Sequence, residues 1–282
     1  MHYNCNMKKN IPQDSRYARL RRQYRDIKGS FFQSSTYVKQ PFIPLQKAQI
    51  YLYGIHPVHA ALKNPRRILR HLYATPNALK RLNINESNIP CSITSCSPKK
   101  LETFVGSEAV HQGIVLETEP LKSHSLSELT NTNLIIVMDQ ITDPHNVGAI
   151  MRSAVAFKAG AIITTNRHSP QESGVLAKAA SGALELIEYI TVHNLSKALK
   201  ELQQMNFISF GLDSEGGFPL ETALTGNKIS LILGAEGKGL RQKTRENVYS
   251  LVRLDLPGDI KSLNVSNAAA IALYAAHKYL RR

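Results

Sequence analysis

The sequence predicts an α/β protein in which a large C-terminal domain with a largely parallel sheet follows a smaller α/β domain. The 282 residues suit two domains, and the 43% of hydrophobic residues can form real cores. From residue 134 onward, short apolar runs alternate with helical stretches, which is typical of parallel strands covered by helices on both faces. Such sheets bind ligands in loops beyond the carboxyl ends of their strands, so we expect the chemistry there.

The small domain is predicted over residues 49–120. Residues 121–133, rich in Ser, Thr and Asn, are interpreted as a linker to the C-terminal domain. The patterned segments of the small domain are an apolar start over 49–54, a helical pattern over 57–63, a strand pattern over 68–73 and a closing strand pattern over 111–117.

The C-terminal domain, residues 134–282, is more regular. The apolar, strand-like runs occupy residues 134–138, 161–165, 184–190, 207–212, 229–233 and 251–256. The helical patterns occupy residues 147–158, 173–180, 195–204, 240–248 and 264–279. Three of the loops that follow strands carry polar and Gly-rich residues that a purely structural turn would not require.

The positive charge is concentrated at the N-terminus. The chain has a net charge of +14, and its first 50 residues hold ten basic and two acidic side chains. Arginines alternate with Tyr17 and Tyr24, and the stretch 29–44 is rich in Ser, Gln and Phe without a sustained period. Residues 1–48 are therefore predicted to be a mostly disordered basic arm. The arm is either a solubilising tail or a phosphate-binding segment. Clustered basic charge with aromatic rings favours the second interpretation, with RNA as the leading partner.

Several other classes of protein are excluded or disfavoured. No run of 18 or more apolar residues occurs, so no membrane span is expected. The polar, Arg-rich start disfavours a secretory signal, and a mitochondrial presequence is the minor alternative to a cytoplasmic location. The three cysteines fit reduced thiols of a cytosolic protein. His56 and His59 lack the further ligands that a metal site requires, so no metal is expected.

The first chemistry-bearing loop follows the run 134–138 and leads into a helix. Asn146 is interpreted either as the cap of that helix or as a site residue. Arg152 lies under two helical turns further on, among small and apolar residues. A cation in that setting needs an anionic partner, and a phosphate is one candidate.

The second loop is Gly-rich and spans residues 234–239. Its glycines allow close backbone approach to a ligand, but their spacing matches neither the dinucleotide fingerprint nor the phosphate loop of NTPases. This disfavours a nucleotide-dependent oxidoreductase. Taken alone, the loop is equally a structural turn, and Glu236 at its centre is the residue that needs an explanation.

The third loop crowds four polar side chains at the start of the last helix. A helix start needs only one N-cap residue, so the additional polar side chains indicate a binding surface. The four residues are Ser262, Asn264, Ser266 and Asn267.

Together, in this order and spacing, the three loops closely resemble the signature motifs of the SpoU/TrmH-type RNA ribose 2′-O-methyltransferases of the SPOUT superfamily. The first resembles the Asn…Arg segment, the second the Gly-x-Glu-x-x-Gly-Leu loop and the third the Ser-Leu-Asn-Val-Ser stretch. Many relatives carry Ile-Pro-Met-x-Gly before the third motif, whereas residues 254–258 here read Leu-Asp-Leu-Pro-Gly. Segments 53–62 and 111–115 resemble the start and end of the L30e-like substrate-binding domain found in many members.

The resemblance implies a SPOUT domain with a deep trefoil knot, S-adenosylmethionine as cofactor, and a homodimer. It implies that backbone groups and apolar contacts near four residues bind the cofactor, namely Leu212, Gly234, Leu254 and Leu263. It assigns methyl transfer to Arg152, with Asn146, Glu236, Ser262 and Asn264 positioning the reacting groups.

The branch that the chain resembles most methylates a guanosine in 23S ribosomal RNA. The arm and the small domain would then supply RNA affinity and target choice, since phosphate contacts position an RNA while unpaired bases specify it. Two alternatives stay open: a transfer-RNA ribose methyltransferase, and a non-catalytic RNA-binding protein of ribosome assembly. The second would have no reason to keep four residues together, namely Arg152, Glu236, Ser262 and Asn264.

Overall fold

A computed structural model describes residues 49–85, 87, 89–129, 131–260 and 262–282 of the chain. The predicted basic arm, residues 1–48, lies outside the described residues. Among those residues, no helix has both the length and the apolar character needed to cross a bilayer.

The small N-terminal sheet has the strand order β1-β4-β2-β3. Strand β4, one of the two inner strands, pairs antiparallel with β1 and β2, whereas β2 and β3 run parallel. Its elements are β1 (Ile50–Tyr53), α1 (Ile55–Lys63), β2 (Leu69–Ala74), α2 (Pro76–Leu82), β3 (Ser92–Ser95), α3 (Pro98–Val105) and β4 (Ile114–Thr118).

The second sheet contains the remaining strands of the described residues, all parallel, in the order β7-β6-β5-β10-β8-β11-β9. These strands are β5 (Leu134–Asp139), β6 (Ala161–Thr165), β7 (Glu188–Val192), β8 (Ile208–Leu212), β9 (Phe218–Pro219), β10 (Ile229–Gly234) and β11 (Ser250–Arg253). The helices between and after them are α4 (Pro144–Ala156), α5 (Gly174–Ala180), α6 (Leu195–Gln204), α7 (Leu220–Ala223), α8 (Gln242–Arg245) and α9 (Val265–Leu280). The predicted α/β class with a parallel sheet is confirmed.

Strand β5 shows how the sheet is buried on both faces. Leu134, Ile136 and Met138 belong to one apolar core together with residues of α4, α5, α9 and the small domain. Ile135 and Val137 alternate with them and belong to a second core that includes α6. This two-residue period is the reason why β5 is a continuous apolar run in the sequence.

The strand order places a topological switch between β5 and β10. The chain leaves β5 towards β6 on one side and leaves β10 towards β11 on the other side. Open α/β sheets bind ligands in the crevice at such a switch, beyond the carboxyl ends of the strands. The first two chemistry-bearing loops leave from these two ends.

The element boundaries differ from the sequence patterns in three places. The run 184–190 is wrong as a single strand, because Ala183–Glu185 is a 3₁₀ turn and the strand begins at Glu188. Of the helical pattern predicted over residues 240–248, only α8 is helical. The short elements β9 and α7 were not predicted. Short apolar runs look alike in strands and in buried turns, so periodicity alone cannot separate them.

The predicted linker, residues 121–133, contains the 3₁₀ helix Leu126–Glu128. Leu126 and Leu129 are buried in the second core of the large sheet. The residues that follow the small sheet are therefore packed against the large sheet.

A buried ion group joins the small domain to the large sheet. The side chain of Arg67 is fully buried and contacts the carboxylates of Glu185 and Glu172. Arg67 Nη1 also donates to the Glu119 carbonyl at 3.0 Å, and Asn64 Nδ2 donates to Glu185 Oε2 at 2.7 Å. Burial raises the pKa of Glu172, although the charge of Arg67 opposes that shift. These contacts fix the orientation of the small domain on the large one.

Replacing Arg67 by Met should destabilise the protein by about 3–5 kcal/mol, because two buried carboxylates would lose their cation. Arg66→Met is the matched control, since the Arg66–Glu188 pair is partly exposed and should contribute about 0–1 kcal/mol. Urea unfolding followed by circular dichroism measures both changes. Equal effects of the two substitutions would contradict the role of the buried group.

Candidate active site

Three side chains from the three predicted loops meet in one hydrogen-bonded cluster, which we call the Asn–Glu–Asn cluster: Asn146, Glu236 and Asn264. Glu236 Oε1 accepts from Asn146 Nδ2 at 3.0 Å and from Asn264 Nδ2 at 2.8 Å. Asn264 Nδ2 also donates to Asn146 Oδ1 at 3.0 Å, and the Val265 amide lies 3.4 Å from Glu236 Oε1. Residues up to 118 positions apart in the sequence are thus joined through one carboxylate oxygen.

The interpretation of Asn146 as a helix cap is wrong. Asp143 caps α4 by accepting from the His145 amide at 3.0 Å, and Asn146 lies within the first turn. Its amide is therefore free to point at Glu236. Asn264, in contrast, has both functions, because its Oδ1 accepts from the Ser266 amide at 2.9 Å and caps α9.

The Gly-rich loop holds Glu236 in a tight turn. Gly239 donates its amide to the Ala235 carbonyl at 2.8 Å, which closes the loop on itself. A Cβ on Gly234 would lie 2.3 Å from the Gly239 carbonyl carbon, so only glycine fits there. Gly237 and Gly239 have φ values of 75° and 63°, where side chains are strained.

Asp139 anchors this loop, and the sequence reasoning did not assign it a role. Its buried carboxylate accepts from the Arg241 amide at 3.1 Å, from Arg241 Nε at 2.6 Å and from Thr244 Oγ1 at 2.7 Å. The end of β5 is thereby tied to the segment that follows the Gly-rich loop. An acidic residue at the end of an otherwise apolar strand was the signal available in the sequence, because a buried carboxylate needs donors.

A cavity of about 400 Å³ opens beside the cluster, at the carboxyl ends of β8, β10 and β11. All four residues predicted to contact the cofactor line it, together with Ser262 and Glu236. The four are Leu212, Gly234, Leu254 and Leu263. Leu256 lines it as well, so the segment in which the proline is displaced still reaches the cavity.

The cavity suits a small organic ligand in size and chemistry. Its volume lies in the range of ligand sites, and its walls combine leucine side chains with glycine backbone groups. Apolar walls fit the flat base of a nucleoside, and exposed backbone groups can bind its polar edge. No cluster of three or more metal-ligating side chains occurs among the described residues.

Arg152 is not part of the cluster. It lies on the exposed face of α4, about 9 Å along the helix axis from Asn146 and about 120° around it. Among the described residues it makes no hydrogen bond or ion pair. The predicted convergence of Arg152 with Glu236 and Asn264 is therefore not found within this one chain.

Comparison with known proteins agrees with this geometry. The model of the SpoU rRNA methylase family matches residues 133–274, and a model described as RNA 2′-O ribose methyltransferase substrate binding matches residues 51–124. A 23S rRNA (guanosine-2′-O-)-methyltransferase, RlmB, of Pseudomonas putida is 36% identical over 80% of this chain and 94% of its own length. The chain belongs to the SpoU rRNA methylase family. The RlmB protein of Ralstonia nicotianae is also 36% identical, over 80% of this chain and 94% of the relative.

Solved structures support the fold of this family member. The SpoU methyltransferase AviRb from Streptomyces viridochromogenes, in complex with AdoMet, superposes with a TM-score of 0.70 at 19% identity, over 82% of this chain and 90% of that one. An AdoMet-bound rRNA methyltransferase from Sinorhizobium meliloti gives a TM-score of 0.69 at 19% identity, over 82% and 88%. The predicted family, enzyme class and α/β fold are confirmed. The trefoil knot and the roles of individual site residues stay predictions.

Replacing Gly234 by Ala should weaken the binding of S-adenosylmethionine at least about tenfold, because the added methyl group would push the loop that lines the cavity. Gly217→Ala is the matched control, since nothing lies within 4 Å of its added Cβ. Isothermal titration calorimetry measures both affinities. Unchanged binding by the Gly234 variant would show that the cofactor binds elsewhere.

Proposed function

We propose that this chain transfers the methyl group of S-adenosylmethionine to a ribose 2′-hydroxyl of a guanosine in 23S ribosomal RNA. The observation that carries the proposal is the meeting of three distant loops at one cluster beside one cavity. The RlmB relatives, which match nearly their full lengths, support the substrate. A cytoplasmic location fits that substrate and belongs to the same proposal.

S-adenosylmethionine fits the cavity by chemistry. Leu212, Leu254 and Leu263 offer apolar surface to the adenine and the sulfonium side chain, and the backbone at Gly234 offers polar groups. When bound, the cofactor supplies a methyl group on a positively charged sulfur that leaves as a neutral thioether. The remaining task of the protein is to align the hydroxyl and to help it lose its proton.

The Asn–Glu–Asn cluster would perform the alignment. Glu236 lines the cavity and uses Oε1 to hold both asparagines and the Val265 amide. Among the described residues its Oε2 has no partner, so it is available to accept a hydrogen bond from a ligand. Ser262 faces the same cavity and adds a hydroxyl near the reacting groups. Side chains locked to one another in this way keep a fixed geometry, which methyl transfer requires.

Arg152 would bind a phosphate of the RNA and stabilise the developing alkoxide. A guanidinium has a pKa above about 12 and is therefore a poor base, so the proton would leave through the phosphate or water. Its exposed position, without a partner among the described residues, fits a cation that is kept for an anionic substrate. Since Arg152 lies away from the cluster of its own chain, it would act in the site of a second subunit.

Two exposed helix stripes support a homodimer. On α4, the small side chains of Ala149, which is half-buried, and Ala156, which is exposed, flank Arg152 at helical spacing. On α9, which packs against α4, Ile271 is 42% and Tyr274 is 55% exposed. The rings of Phe157 and Tyr274 lie 5.9 Å apart, so the two stripes are neighbours. Exposed apolar side chains grouped in this way indicate a contact surface.

The function is tested by mapping 2′-O-methyl groups in total RNA from cells with and without this chain. We expect one guanosine mark in 23S rRNA to disappear. Loss of a transfer-RNA mark instead would support the alternative substrate, and no lost mark would support a non-catalytic role.

With the purified protein, Arg152→Ala should lower kcat by at least about 100-fold while sparing cofactor affinity. Arg81→Ala, an exposed arginine of the small domain, should leave kcat unchanged.

The homodimer is tested by analytical ultracentrifugation, which should give twice the chain mass of 31.3 kDa. The double substitution Ile271→Glu with Tyr274→Glu should give monomers, because like charges would be buried face to face. Tyr249→Glu, at a 69% exposed tyrosine elsewhere, should leave the dimer intact. A wild-type monomer would contradict the proposal.

A further inference from the structure

One face of the small sheet carries a row of unusual composition. In the strand register, Tyr51 of β1 lies opposite Glu117 of β4, which lies opposite His71 of β2. Directly opposed residues point to the same face, so a carboxylate stands between two aromatic rings. The next row on this face holds Tyr53, Val115 and Tyr73.

Four rings of this face form a continuous series, the aromatic arc: His71, Tyr73, Phe104 and Tyr51. His71 stacks on Tyr73 with 4.4 Å between ring centroids, and Tyr73 stacks on Phe104 at 4.4 Å. Tyr51 lies 5.4 Å from Phe104. Tyr73 Oη donates to Glu117 Oε2 at 3.3 Å, so the arc runs beside the carboxylate.

Helix α3 covers only part of this face. Tyr53, Val115 and Leu101 of α3 are buried together and form a small core. The four rings of the arc are each half-buried, and those of Tyr51, Tyr73 and Phe104 pack against that core. Aromatic rings held in fixed positions at a surface offer flat area for stacking at little entropic cost.

The charges around the arc favour a nucleic-acid base. Lys99 and Lys100 of α3 are exposed, and Lys100 Nζ lies 5.5 Å from the centroid of the Phe104 ring. These cations attract a phosphate backbone to the rim, while the Glu117 carboxylate repels phosphate from the centre. A carboxylate accepts hydrogen bonds from the amino and imino groups of a base edge. Burial and the charge of Glu117 raise the pKa of Tyr51, so its ring stays an uncharged phenol.

We propose that the aromatic arc binds an unpaired base of the RNA substrate by stacking on Tyr51 and His71, with the donor edge of the base at Glu117. This subsite rests on the proposed function for its substrate, and it adds a place where the small domain reads a single-stranded nucleotide. The strongly basic residues 1–48 lie just before β1 in the sequence, which agrees with RNA as the occupant.

The test measures the affinity of the full-length protein for a fluorescein-labelled single-stranded RNA of mixed sequence, by fluorescence anisotropy at several salt concentrations. Leucine in place of Tyr51 and His71 together keeps apolar volume beside Phe104 but removes both rings. We expect this double variant to raise Kd by roughly 5- to 150-fold, the contribution of one stacked base. The slope of log Kd against log salt should not change, because no phosphate contact is lost.

Two controls separate stacking from damage to the fold. Tyr51→Phe keeps the ring and loses only the hydroxyl that accepts from Gln49 Nε2, so Kd should stay within about twofold of wild type. Tyr249→Leu makes the same kind of change at an exposed tyrosine of the large domain and should leave Kd unchanged. Urea midpoints within experimental error of wild type show that the double variant is folded.

Unchanged RNA affinity in the folded double variant overturns the subsite. If its sedimentation coefficient falls at the same time, the arc instead contacts a second copy of the chain. A flatter salt slope also overturns the proposal, since the arc would then bind phosphate. Because the readout is binding without turnover, failure of methyl transfer by the wild-type protein would refute the proposed function and leave this result standing.

Discussion

A single carboxylate oxygen holds the candidate site together. Oε1 of Glu236 accepts N–H groups from Asn146 in the first turn of α4, and from Asn264 and the Val265 amide at the start of α9. These donors come from two distant parts of the chain, and the shared acceptor holds them together. The glycines around Glu236 serve the same purpose, because they let the loop fold tightly enough to bring that oxygen to the helix ends.

The buried carboxylate of Asp139 fixes the Gly-rich loop that carries Glu236. It binds the backbone and side chain of Arg241 and the hydroxyl of Thr244, so the Gly-rich loop is fixed at its far end to the strand that leads to Asn146. Two carboxylates therefore set the geometry of the loops, one inside the protein and one beside the cavity. The leucines Leu212 and Leu254 of the cavity wall lie at the carboxyl ends of the neighbouring strands β8 and β11.

Much of this could be predicted from the sequence. The alternation of apolar and helical segments predicted the parallel sheet, and the polar excess in three loops indicated Asn146, Glu236 and Asn264, which the structure brings together. The sequence could not place Arg152 relative to the cluster, because a position within a helix does not tell which way its side chain faces. It also could not reveal Asp139 as an anchor or the turn at residues 183–185, since both depend on contacts between distant parts of the chain. The arc residues Tyr51, His71 and Tyr73 looked like ordinary strand residues until the register placed them in adjacent rows on one face of the sheet.

The buried contacts of Arg67 have a consequence for the RNA. The small domain shares an apolar core with the large sheet and is joined to it by ion pairs of the fully buried Arg67 side chain. These contacts hold the two in one relative orientation. An RNA that reached both the small domain and the cavity would then have to adapt its own shape to that orientation.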